Sequence, residues 1–164
     1  MNDEFTDTIH EFSSSDASVR ANAVRNLRSD QSLAQLAAVA LVNITSDDDE
    51  TVRETAVDVL ENLGAPRTED VGRLADLLDV KEGDVAYWAA TLLGRCGEQA
   101  GSASESLNAA LAHPESVVRQ RAAWALGKIG SPASCALPSL VQATSSDDSR
   151  LAQLAKQAVA KIQS

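Results

Sequence analysis

The chain has 164 residues, enough for one ordinary domain, and it is 44% hydrophobic but only 3% aromatic, with a formal net charge of −10. A core must therefore be built from Ala, Leu and Val, whose small side chains suit closely stacked helices. The charge argues against a general nucleic-acid binder or a ligand of anionic membranes, because affinity for phosphate comes from Lys and Arg.

The charge is also uneven. Residues 1–84 carry 19 of the 24 acids and 7 of the 14 bases, a net of −12, whereas residues 85–164 carry 5 acids and 7 bases, a net of +2. The two ends thus offer different electrostatic surfaces. The opening stretch MNDEFTD is acidic and lacks the apolar core of a signal peptide. The longest apolar run, Leu36 to Val42, is far too short to span a bilayer. Two cysteines, Cys96 and Cys135, make no disulfide framework. These features predict a soluble, cytoplasmic protein that does not associate with membranes.

Taken in order, the chain repeats every 33 residues without insertion. An apolar column runs Val19, Val52, Val85, Val118 and Leu151. Four residues on stand Ala23, Ala56, Ala89, Ala122 and Ala155; eight on, Leu27, Leu60, Leu93, Leu126 and Val159; three before, Asp16, Asp49, Glu82, Glu115 and Asp148. Offsets of four and eight share one helix face, and matched columns at a fixed period indicate a stacked-repeat protein. The spacing predicts five helix-turn-helix units, approximately 1–31, 32–64, 65–97, 98–130 and 131–164, in a single domain 1–164. First helices are placed near 3–13, 33–45, 69–79, 103–112 and 135–145, and second helices near 16–28, 49–63, 83–96, 115–129 and 148–162. Ser102 with Glu105 reads as a capping box, Pro138 fits a first helical turn, and Gly130 stands at a helix end. The acidic column is read as caps and dipole partners of the second helices, and Asp47-Asp48-Asp49-Glu50 as a solvated loop.

The stretch Glu115-Ser116-Val117-Val118-Arg119 followed by Ala122-Ala123-Trp124-Ala125-Leu126-Gly127-Lys128-Ile129-Gly130 resembles a short HEAT-like repeat, the type named for phycobilin lyases. Asp49, Val52-Arg53, Ala56, Leu60 and Leu63-Gly64 resemble it too, as do Val85, Ala89, Leu92-Leu93-Gly94 and Gly97. The signatures of ankyrin and tetratricopeptide repeats are absent. The resemblance implies an all-α, right-handed solenoid of five such repeats, with the second helices on the concave side. It also implies that Arg20, Arg53 and Arg119 form a ladder with acids, interrupted at Ala86 and Ala152. Repeats one and five depart most and are read as caps, with Phe5 and Phe12 filling core space.

Enzyme chemistry finds no support in the residues. His10-Glu11 is a lone pair where HEAT-like hydroxylases carry several, His113 is read as a surface residue, and Cys96 falls in a core column. No phosphate loop, nucleophile elbow or dinucleotide fingerprint occurs. No cofactor or metal is expected. What remains is surface. On a helical wheel Tyr87, Trp88, Thr91 and Arg95 in repeat three, and Gln120, Arg121, Trp124 and Lys128 in repeat four, fall off the core face, and Trp, Tyr and Arg are the residue types of binding hot spots. Trp88 lies on the flank, Trp124 further outward, and Gly94 and Gly127 mark places where a ligand can approach the backbone.

The expectation is a non-enzymatic scaffold or adaptor that binds a protein or peptide on the concave face. A monomer is compatible with the sequence, and nucleic acid is not expected as a partner. The resemblance supplies an alternative, a phycobilin lyase subunit or other tetrapyrrole-handling protein, and a third reading as a relative of DNA-repair glycosylases, which Arg95, Arg121 and Lys128 alone do not sustain.

Overall fold

The computed structural model describes residues 3–164, with side chains from residue 5 onward; Met1 and Asn2, the start of the acidic MNDEFTD stretch, lie outside it. The first 67 residues contain α1 (Asp3–Glu11), α2 (Ala17–Asn26), α3 (Gln31–Leu36), α4 (Ala38–Ile44) and α5 (Glu50–Asn62). The rest contain α6 (Val71–Asp76), α7 (Gly83–Cys96), α8 (Ser104–Ala110), α9 (Ser116–Ile129), α10 (Leu137–Ala143) and α11 (Ser149–Ile162), and short 3-10 turns join many of them. No strand occurs among the described residues, and the helix pairs follow the 33-residue period, so the fold is an all-α repeat solenoid.

The chain gathers into two compact units, residues 1–67 and 68–164. In the first, α2 and α4 both pack against α5, and α1 against α2. In the second, α9 packs between α7 and α11, while α6, α8 and α10 lie against α7, α9 and α11 respectively. The columns explain this packing. Val52, Val85 and Val118, the five column alanines, and Leu27, Leu60, Leu93 and Leu126 are buried, as are Leu41, Leu74, Leu107 and Leu140 of the first helices. The exceptions sit in the terminal repeats, where Val19 is exposed and Val159 half-buried. Phe12 is in the core and Phe5 is half-buried.

Local chemistry sets the joints. Gly64, Gly97 and Gly130, each one period apart, follow α5, α7 and α9 with φ of 73°, 58° and 74°, a region glycine enters without a Cβ penalty. Asp16, Asp49 and Asp148 accept backbone N–H bonds at the starts of α2, α5 and α11, which satisfies donors that have no intrahelical partner. Glu82 and Glu115 do not cap their own helices, in contrast to the uniform capping expected for this column. The longer Glu115 side chain instead places its carboxylate where a Cβ on Gly83 would stand, beside the positive end of α7.

Four further expectations are corrected. The first helix of repeat two is kinked at Ala37 (φ −88°, ψ 4°) into α3 and α4. Its hydrogen bonding runs on across the kink, from Ala37 N–H to Leu33 O and from Leu41 N–H to Ala37 O. The Ser102–Glu105 capping box does not form, because residues 97–103 are wound as a 3-10 turn and Ala103 occupies the cap position. The arginines hold turns more than acids: Nη1 of Arg20, Arg53 and Arg119 donates to the carbonyl six residues back, at Ser14, Asp47 and His113, at 2.8, 2.7 and 2.8 Å. Of the three, Arg20 alone also has a carboxylate partner among the described residues, bonding Asp47 through Nε and Nη2, both at 2.7 Å. That pair holds the Asp47 carboxyl below its usual range. Finally, His113 is buried rather than on the surface. Its Nδ1 accepts from the Glu115 N–H at 3.1 Å, leaving the proton on Nε2, which faces the Val80 carbonyl at 3.4 Å. Ser14, Asp47 and Ser146, one or more periods away, accept the same i+2 amide bond.

Candidate functional site

The sequence-derived surface lies wholly in the second unit, on α7 and α9. Its centre is a row of alternating rings and cations. The Arg121 guanidinium stands 4.4 Å from the Tyr87 ring centroid and 5.1 Å from that of Trp124, and Lys128 Nζ lies 5.8 Å from the Trp124 centroid. Arg121 also donates to the Tyr87 hydroxyl. Helical spacing produces the row, because Arg121, Trp124 and Lys128 follow at i, i+3 and i+7 on one stripe of α9. The rings' negative faces attract the cations. Tyr87, Arg121 and Trp124 are half-buried and Lys128 is exposed.

The remaining predicted residues are placed differently. Trp88 is only 7% exposed; it meets Tyr87 edge-to-face at 5.6 Å, and Arg95 stands 5.9 Å from its ring. Thr91 is buried and gives its hydroxyl to the Tyr87 carbonyl at 2.8 Å. Neither presents its side chain to a large partner. Gln120 donates to both Asp148 carboxylate oxygens, at 3.2 and 2.9 Å, and so links α9 to the start of α11. Together with the Leu151 and Arg150 amides it keeps the Asp148 carboxyl below the usual range.

Nor are the two helix glycines openings for a ligand. A Cβ on Gly94 would overlap the six-membered ring of Trp124, and one on Gly127 would stand 3.0 Å from the Ala158 Cα of α11. Gly94 is the notch in α7 that seats the indole of α9, and Gly127 the notch that lets α11 come close. Trp124 is therefore both a packing residue and a surface residue, where the sequence expectation made it surface alone.

Two hollows flank Trp124, of about 270 Å³ toward Tyr87, Gln120 and Arg121, and about 230 Å³ toward Gly127 and Lys128. Leu154 of α11 borders both, Val117 and Arg150 line the first, and Lys161 lines the second. Sequence reasoning missed these residues because repeat five was read only as a cap. The signal was present: Leu154 occupies the column of Trp88 and Arg121, and Lys161 that of Arg95 and Lys128. Two larger grooves, of about 610 and 680 Å³, lie by the first helices α8 and α10. Their lining residues, such as Asp76, Ala109 and His113 in one and Ala109's and His113's counterparts Gln142 and Ser146 in the other, stand one period apart. They are a recurring feature of the architecture rather than a distinct site.

Catalytic groups do not converge here. The Cys96 thiol is pushed up to about 11, first by burial and then by the charge of Asp70, so at neutral pH it is a protonated core side chain. Cys135 is exposed and free. No group of three His, Cys, Asp or Glu side chains among the described residues is placed to hold a metal.

Comparison with known proteins places this geometry in a family. Solved structures that resemble the chain include a crystallised engineered protein, at 23% identity over 98% of this chain and 48% of that one, with a TM-score of 0.60. The chain thus spans about half the length of that protein. A designed armadillo repeat protein in complex with the peptide (KR)4 matches at 21% identity over 98% of this chain and 82% of that one, with a TM-score of 0.67. At these identities the likeness is one of fold. The CpcE–CpcF complex of phycocyanin lyase from Nostoc sp. PCC7120 matches at 21% identity over 90% of this chain and 73% of that one; its TM-score of 0.40 supports no argument. No protein of curated function matches the sequence. The family model for HEAT repeats matches residues 71–160, which contain the ring–cation row and every residue lining the two hollows except Lys161. That match covers more than half of the chain, and on it the protein belongs to the HEAT repeat family.

Proposed function

We propose that the chain is a non-enzymatic scaffold or adaptor that binds a protein segment on the second-helix face of α7, α9 and α11. A HEAT-type solenoid fits a protein-interaction role, and the armadillo relative shows such a fold holding a peptide. The observation that carries the reading is the half-exposed Tyr87–Arg121–Trp124–Lys128 row between two hollows. It offers rigid aromatic area and pre-placed cations, the ingredients of hot spots. Of the eight residues predicted for the site, Tyr87, Arg95, Gln120, Arg121, Trp124 and Lys128 belong to this face, with Trp88 and Thr91 supporting it from below. The five repeats act as one domain, with the first and last as caps. No helix among the described residues is long and apolar enough to cross a membrane, and two cysteines not joined in a disulfide fit a reducing, cytoplasmic setting.

The tetrapyrrole reading draws no support from the hollows. At about 230 and 270 Å³ each falls below the roughly 300–1,000 Å³ of sites that enclose drug-sized ligands. Open grooves of this size suit single side chains of an extended partner.

The test is a photo-crosslinking residue in place of Val117, which is 47% exposed, in cells of the source organism, with the same residue at exposed Glu105 of α8 as the control. A partner captured at Val117, absent at Glu105 and lost on Trp124→Ala is the expected result. Equal capture at both positions, or capture indifferent to Trp124, removes this face as the binding surface.

A further inference from the structure

Elsewhere in the chain some cations have carboxylate partners and others, such as Arg53 and Arg119, hold turn carbonyls. Arg20 is paired with Asp47 and Arg28 with Asp58. Arg121, Lys128, Arg150 and Lys161 surround Trp124 and Leu154, and among the described residues none of the four forms an ion pair with a carboxylate. Residues 85–164 carry a net of +2 in a chain of 24 acids and 14 bases, and four of their seven cations gather on this one face. No carboxylate lines either hollow, and Trp124 and Leu154 give both an apolar border, with Gln120 and Gln157 as uncharged polar residues.

From this we infer the chemistry of the occupant: an acidic, extended peptide segment with one aromatic or large aliphatic anchor between its acids. The inference rests on the binding face proposed above and specifies its ligand. Charge complementarity selects the acids. The anchor is selected by Trp124 and Leu154, which border both hollows and present apolar surface to a side chain inserted beside the indole. The register follows from helix geometry. Arg121 and Lys128 are about 10 Å apart along α9, and Arg150 and Lys161 about 16 Å apart along α11, at 1.5 Å per residue. An extended chain covers those spans in about three and about five residues. The segment therefore carries acids three to five residues apart on either side of its anchor. Each hollow takes one side chain, and the anchor enters beside Trp124.

The experiment is selection from a random peptide display library on the full chain. Individual clones are then measured by calorimetry at two salt concentrations, against the chain itself and against Lys128→Glu/Lys161→Glu. Both lysines are exposed, so that variant keeps the fold, which a thermal melt verifies. A second variant, Arg150→Glu, reverses the charge at the other hollow.

The expected outcome is enrichment of acidic peptides with one aromatic or aliphatic anchor. Their affinity should fall about tenfold or more in the double variant and fall again with salt. Replacing the anchor by Ala should cost a similar factor. Enriched basic or uncharged peptides that still lose affinity on Trp124→Ala would overturn the acidic assignment while leaving the binding face in place. Peptides indifferent to Trp124 and to both charge variants, or no enrichment at all, would overturn the face itself. Concentration-dependent self-association abolished by Lys128→Glu/Lys161→Glu would overturn the peptide assignment in favour of the acidic residues of a second copy.

Discussion

Two equivalent slots, one in each unit, have been filled by opposite chemistry. In the first unit Arg28, just past the end of α2, meets Asp58 of α5, Nε to Oδ2 at 2.9 Å, with side chains 57% and 40% exposed. In the second unit the same two columns hold Gly94 of α7 and Trp124 of α9, and the ring lies in the notch that the glycine leaves. The first slot is a solvated ion pair of the kind that contributes about 0–1 kcal/mol and is screened by salt. The second is close-packed aromatic contact whose outer side is still open. The same pair of columns can thus hold a solvated ion pair or a close-packed ring, according to the side chains in the slot. The helices differ to match: α2 has 10 residues and passes into a 3-10 turn at Leu27, whereas α7 has 14 and carries Gly94 within its last turns.

The largest effect expected is from removing residues 131–164, which strips α10 and α11 from α9. Repeat units bury their apolar faces against neighbours, so the truncated chain should aggregate or lose cooperative melting. Circular dichroism with light scattering reads this. A soluble fragment melting like the full chain would make the fifth repeat an appendage rather than a cap.

Next comes the slot itself. Gly94→Ala forces the indole out of its notch, and overpacking of this kind costs about 1–3 kcal/mol. Trp124→Ala should cost about 2 kcal/mol of stability, less than the roughly 3–5 typical of a fully buried indole, together with about 2 kcal/mol of partner affinity. In a Trp124→Ala background Gly94→Ala should become nearly neutral, because the clash has lost its partner. Strictly additive melts in urea would show that the ring does not depend on the notch.

The contrasting slot should respond weakly. A double-mutant cycle with Arg28→Ala and Asp58→Ala is expected to give a coupling of about 0.2–1 kcal/mol that disappears in high salt. A coupling as large as that of Gly94 and Trp124 would erase the distinction drawn between the two units.

The smallest effect is a slope with pH. Asp47 is held low first by its hydrogen bonds to Arg20, then by the Asp49 amide and by the charges of Arg20 and Arg53, against burial. A carboxylate whose native value lies below its unfolded value of about 3.9 adds stability that is complete above that range. That stability is lost as the pH falls through the lower native value. Asp47→Asn should therefore lower the melting temperature at pH 7 and change it little well below both values. An equal loss at both pH values would assign Asp47 a role independent of its charge.

Much of the architecture was legible in the sequence because it rests on short-range rules. The apolar columns are buried except at Val19 and Val159 of the terminal repeats, and the three glycines after α5, α7 and α9 take positive φ. The capping aspartates bond the amides of their own helices. Legibility ended where one side chain had two geometrically possible partners. The carboxylate of Glu115 lies at the start of α7 rather than capping α9, His113 is buried beside the turn of the neighbouring repeat, and Ser102 lies in a 3-10 turn where a cap was expected.

For the candidate face, the sequence by itself placed Tyr87, Arg121, Trp124 and Lys128 on one side of successive second helices, because helical periodicity assigns them there. The tertiary structure decided what each does there. Periodicity is a property of one helix, whereas burial, notches and hollows arise between helices. So the packing of α7, α9 and α11 buried Thr91, filled Gly94 with the Trp124 ring and brought Leu154, Arg150 and Lys161 to a site that repeat four alone does not complete.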